Sequence, residues 1–75
     1  MKTPANTVTQ NAIAANLAAL EARLTDAADL ARQACDVMSA GKQNEAIGTI
    51  LALHDVIPEA QALYNAALAL HKNRG

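Results

Sequence analysis

The sequence predicts an all-α protein, a small antiparallel helical bundle in which one long N-terminal helix packs on the helices that follow it. Three observations carry this. Large apolar residues recur in alternating steps of four and three through both halves of the chain, the spacing of a helix packed lengthwise against another. Glycine breaks the alternation in one place, at Gly41 followed by Lys42 and Gln43. Alanine, the strongest helix former, supplies 19 of the 75 residues.

In the first half the alternation runs Ile13, Leu17, Leu20, Leu24, Ala27, Ala31, Ala34, Met38, with Leu30 and Val37 widening the stripe on one flank. Thr7 with Gln10 three residues on has the form of a capping box, and Ser39, Ala40, Gly41 form a helix stop. A helix over about residues 8 to 39 follows. Asp26 could cap a new helix after Thr25, but no Gly or Pro supports a break there. The seam passes from Ile and Leu to mainly Ala at midway. Small residues admit a close neighbour, so around Ala27 to Ala34 this helix is either crowded by two partners or tilted towards one.

After the turn the alternation resumes as Ala46, Ile50, Leu53, Ile57, Ala60, Tyr64, Ala67, His71. Its phase survives Pro58. An interior proline removes a hydrogen bond and clashes with the carbonyl four residues back, whereas in a first turn its missing N–H costs little. With Asp55 as cap, the expectation is a break near 55 to 57 and two helices, about 43 to 54 and 58 to 72; the competitor is one helix kinked at Pro58. All of residues 1–75 form a single domain on this reading, with 1–7 and 73–75 frayed.

The core is thin. Nine Leu, four Ile and three Val are joined by one aromatic residue, Tyr64. Chains this short need a disulfide framework, a metal, a partner or very regular packing to hold a fold. One cysteine, Cys35, excludes an internal disulfide, and two histidines with it are too few for a zinc site within the chain. Regular packing reinforced by self-association remains. A homodimer is therefore expected, with Ile13, Leu17, Leu20, Leu24, Ala27, Ala31 and Ala34 as its seam.

Six Lys and Arg against seven Asp and Glu give a net charge of −1, so there is no basic field for a polyanion, and a nucleic-acid partner is not expected. His71, Lys72 and Arg74 form the densest basic group, at a place where cations complement a helix end. The apolar run Ala12 to Ala22 contains Asn16 and Glu21 and belongs to the long helical pattern, so it is read as helix and not as a signal peptide. No run reaches the ~18 apolar residues of a membrane span. A lone cysteine fits a reducing compartment, and a cytoplasmic location is expected.

Candidate chemistry is sparse. Cys35 reads as a small buried hydrophobe, since a nucleophile would need a neighbouring base. His54 reads as a cation near a helix end, and Tyr64 as the largest core contact with its hydroxyl towards solvent. Tyr64 and His71 share a helix face and could line a pocket. Asp29, Arg32 and Asp36 are spaced as surface ion pairs. The sequence has no phosphate-binding glycine loop and no ExxH pair for a di-metal bundle. Neither a catalytic residue nor a cofactor is expected, and the chain is not expected to be an enzyme.

The stretch Leu30 to Pro58 resembles one tetratricopeptide unit, the two-helix repeat of protein-binding solenoids. Gly41 falls in its turn, Glu45 and Ala46 on its Glu-Ala pair, Ile50 on the large apolar position four residues later, and Pro58 on its terminal proline. Leu30, Ala34 and Val37 take the positions of its aromatic, small and aromatic residues; Gln33 departs from the pattern. Helix-hairpin geometry and a protein-binding role are what the resemblance implies. The function expected is a small interaction module, an adaptor, co-chaperone or inhibitor of a larger bacterial protein, docking through Leu51, Leu63, Leu70 and Tyr64. The alternatives are an oligomeric ligand-sequestering bundle with a pocket near Tyr64 and His71, and, third, a helical-hairpin regulator linked to nucleic acid.

Overall fold

The computed structural model describes residues 4–73, with side chains from Thr7 onward. Three helices follow in order: α1 (Pro4–Ser39), α2 (Gln43–Leu51) and α3 (Leu53–Lys72). The all-α bundle expected from periodicity is what forms: α1 lies along both α2 and α3, which touch each other little. The ends expected to fray lie partly outside the described residues, namely 1–3, 74 and 75.

Helix α1 runs 36 residues without interruption, past Thr25 and Asp26. It begins four residues earlier than the spacing of Thr7 and Gln10 predicts. Pro4 presets a helical φ, and its missing N–H falls among donors that have no partner inside a helix anyway. The C-terminus is where the sequence places it. Gly41 adopts φ +81°, its N–H donates to the Met38 carbonyl at 2.9 Å, and the Lys42 N–H donates to the Val37 carbonyl at 3.2 Å. This pair of bonds is a Schellman motif, which satisfies two carbonyls at the helix end and reverses the chain.

The second break falls at Ala52, not at residues 55 to 57. Ala52 itself stays in the right-handed helical region, φ −62° and ψ −21°, so α2 and α3 form a rod with a bend rather than two separate helices. Pro58 consequently lies inside α3, as its sixth residue. An interior proline crowds the carbonyl four residues back, here that of His54, and cannot donate to it, and the bend falls upstream of that turn. Asp55 is then no cap but an acidic residue of the first turn, and its N–H donates to Ala52 at 3.4 Å. The bend lies across from the alanine-rich part of α1, since Val56 shares a groove with Asp26, Asp29, Leu30 and Gln33. Small residues in α1 serve where it passes from α3 to α2.

Packing differs from the predicted seam in one systematic way. Ile13, Leu20, Ala27 and Ala34, seven apart, turn towards the other helices, as do Leu53, Ala60 and Ala67. The residues between them do not follow the prediction. Leu17, Leu24, Ala31 and Met38 are exposed, and Asn16, Arg23, Leu30 and Val37, one position earlier, take the inward places. In the second half Ile50, Ile57, Tyr64 and His71 are likewise exposed, and Thr49, Val56, Leu63 and Leu70 turn inward. Steps of four-then-three and three-then-four share every seventh residue, so the pattern alone fixes half of the seam.

The interior is correspondingly small. Among the described residues only Ala34, Ala46 and Ala60 are buried, and no large side chain is fully covered. Alanine at these points lets the helix axes approach closely, and the result is a thin layer, 60 × 17 × 11 Å.

Candidate interaction surface

Two helices packed antiparallel leave two broad faces, one on each side of the seam, and here the two differ in kind. Seven-residue repeats place Leu17, Leu24, Ala31 and Met38 of α1 on the same side as Ile50, Ile57 and Tyr64 of the bent rod. A groove lined by Leu20, Leu24, Ala27, Val56, Ile57, Ala60, Gln61 and Tyr64 joins the two rows at their centre. Leu17, Leu24, Ile57 and Tyr64 are each about half exposed, at 51%, 54%, 57% and 50%. That exposure is along rows, not scattered. A contiguous strip of large apolar side chains differs from the single exposed leucines that any protein surface carries.

The reverse face carries small and acidic residues. Ala19, Ala22, Arg23, Glu59, Ala62 and Leu63 line its central groove. By the same repeat, Asp26, Asp29, Asp36, Glu45, Asp55 and Glu59 fall on this side, leaving Glu21 as the one carboxylate of the chain on the apolar side. Arg23 reaches from the seam to this face, 2.7 Å from Asp26 and 3.5 Å from Glu59, and so links α1 to α3. Arg32 pairs with Asp29 at 2.8 Å, as the spacing predicts. Gln61 donates to Asn65 at 3.2 Å along α3.

The predicted docking residues divide between these places. Tyr64 lies on the apolar face and Leu51 is 67% exposed at the end of α2. Leu63 and Leu70, expected off the seam and in need of cover, instead belong to the contact with α1 and are partly covered by it. Of the predicted dimer seam, Ile13, Leu20, Ala27 and Ala34 serve the contact within the chain, while Leu17, Leu24 and Ala31 stay outside it. Ile50, Ile57 and Met38 belong to the face and were not singled out for it. Their signal was in the sequence, as the unused half of each alternating pattern.

Two further residues stand elsewhere than expected, Cys35 and His54, and His71 stands at the helix end where the sequence places it. Cys35, read as buried, is an exposed free thiol on α1, because the inward places on either side of it go to Ala34 and Val37. His54 is the second residue of α3, just past the bend, and not at a free helix end, since Ala52 keeps helical angles. His71 lies in the last turn of α3 beside Lys72, where cations are favoured. His71 is not among the residues lining the groove beside Tyr64. Among the described residues no group of three or more His, Cys, Asp or Glu is placed to hold a metal ion, and no helix is long and apolar enough to cross a membrane. Comparison with protein-family models, curated proteins and solved structures finds no match to this chain.

Proposed function

We propose that the chain is a non-enzymatic protein-interaction module and that it docks through the apolar broad face. The observation that carries this reading is the paired rows Leu17, Leu24, Met38 and Ile50, Ile57, Tyr64, 37% to 57% exposed and on one side of the layer, opposite a face of alanine and carboxylates. Apolar rows of this kind are stabilised by removal from water at about 25 cal/mol per Å2, and among the described residues nothing covers them fully. The acidic reverse face stays in water and disfavours a polyanionic partner. The resemblance of Leu30 to Pro58 to a tetratricopeptide helix pair points the same way, and the exposed thiol of Cys35 is compatible with the reducing cytoplasm as its location.

A photo-reactive residue placed at Leu24 or Tyr64, compared with one at Ala22 or Ala62 of the other face, tests the assignment in the producing cell. Protein crosslinks from the first pair and not the second are expected. Equal crosslinking from both faces removes the assignment.

A further inference from the structure

Resting on that reading, we propose that the occupant of the apolar face is a second copy of this chain, apposed face to face by a two-fold axis to complete a four-helix bundle. The layer as it stands lacks an interior. Among the described residues the buried ones are three alanines, and the radius of gyration of 17.4 Å compares with the ~11 Å of a compact domain of this length. A chain whose core is completed only by its partner needs that partner whenever it is folded. A second copy is the one protein always present with it.

The face also has the size and pattern for itself. Its apolar rows, Leu17 to Met38 and Ile50 to Tyr64, run ~32 Å along the helices at 1.5 Å per residue, so across the 17 Å width of the layer they cover on the order of 500 Å2 on each copy, about the 1,000 Å2 in total that a specific interface needs. Its two apolar rows repeat every seven residues and run antiparallel, with Leu17 near the level of Tyr64 and Leu24 near that of Ile57, as the shared groove and the Arg23–Glu59 pair set the register. A two-fold rotation lays such rows on rows of the same period, so large side chains meet in layers one heptad apart. Charge does not oppose it. Glu21 is the one carboxylate on the face, at its edge, and the six others are on the reverse side of each copy, away from the contact.

The stripe therefore has two uses on each helix. The inward row makes the hairpin and the exposed row makes the bundle, which is why the sequence shows apolar residues at three of every seven positions rather than two.

Sedimentation equilibrium of the purified chain, from about 1 to 100 µM, is the direct test, because the stability and mass of a dimer depend on protomer concentration. Twice the chain mass is expected, with a melting temperature that rises with concentration. The double variant Leu24→Glu with Ile57→Glu should weaken the dimer at least ~100-fold, since each copy would bury two unpaired carboxylates. The variant Ala22→Lys with Ala62→Lys, on the acidic face, should leave the dimer intact. Should the Glu variant fail to fold by circular dichroism, a photo-reactive group at Leu24 in the otherwise unchanged chain should give a chain-to-chain crosslink, and one at Ala22 should not. A monomer throughout the concentration range, or a dimer lost in the Lys variant and kept in the Glu variant, overturns the proposal. A pure monomer that crosslinks from Leu24 to a different protein in cells overturns the second copy but leaves the docking face; absence of crosslinks from the face in either setting removes both.

Discussion

Gly41 and Gly48 look alike in the sequence and do opposite things in the structure. Gly41 has φ +81°, in the left-handed region where a side chain costs about 1–2 kcal/mol even though a Cβ there would touch nothing within 4 Å. Gly48 sits inside α2 with equally open space around its Cα and no such φ. Gly41→Ala should therefore destabilise by about 1–2 kcal/mol, and Gly48→Ala should stabilise by about 0.5–1 kcal/mol through the unfolded chain. Urea denaturation of both variants checks the pair of signs; two changes of the same sign contradict the Schellman turn. The buried alanines are a third residue-scale matter. Ala60 is 8% exposed where α3 meets α1, and Ala60→Leu should cost about 1–3 kcal/mol, because added methylenes push the axes apart. The same change at Ala62, exposed on the reverse face, should stay within ~0.5 kcal/mol, as measured by the same denaturation.

At the scale of the element, Pro58 decides the shape of the second half. A proline deep in a helix costs ~3 kcal/mol, of which a bend upstream can relieve a part. Pro58→Ala should restore the hydrogen bond to the His54 carbonyl and gain about 1 kcal/mol, with a larger 222 nm signal. A loss of stability would instead assign the bend to the seating of α2 on α1. The link between α1 and α3 through Arg23 should matter less than its geometry suggests. Arg23, Asp26 and Glu59 keep 39%, 48% and 58% of their side-chain surface in water, where such pairs contribute ~0–1 kcal/mol and are screened by salt. Arg23→Gln is thus expected to lower stability by less than ~1 kcal/mol at 0.15 M salt, and by less still at 1 M, measured from parallel denaturation curves.

The whole molecule is a layer 11 Å thick, with one side apolar and the other acidic and alanine-rich. Small-angle scattering reads how such layers associate. Face-to-face pairing separates two layers by ~10 Å and should raise the radius of gyration above 17.4 Å by only about an ångström. End-to-end association of a 60 Å rod would raise it far more. The expected profile keeps its longest dimension and gains thickness, and a lengthened profile would place the contact at the helix ends.

Composition and period were enough for the helical class, the long first helix, the turn at Gly41 and the antiparallel course, because each depends on local chemistry or on a repeat visible along the chain. Every seventh residue of the seam was legible for the same reason. What only the tertiary structure decided was the other half. Leu17 and Asn16, Leu24 and Arg23, Tyr64 and Leu63 are neighbours on the helix surface, and either member of each pair could have faced inward. In isolation the larger apolar residue is the natural choice for α1, yet in two of these positions Asn16 and Arg23 turn to the seam and the leucines stay out. Hydropathy ranks residues one at a time, whereas the helix pair settles on a rotation for all of them together. That rotation brings Ala34, Ala46 and Ala60 to the points of closest approach and sends Leu17, Leu24, Met38, Ile50, Ile57 and Tyr64 to one common face. The displaced bend has a similar origin: Pro58 marks a strained turn in the sequence, but where the rod yields depends on what α1 places against it.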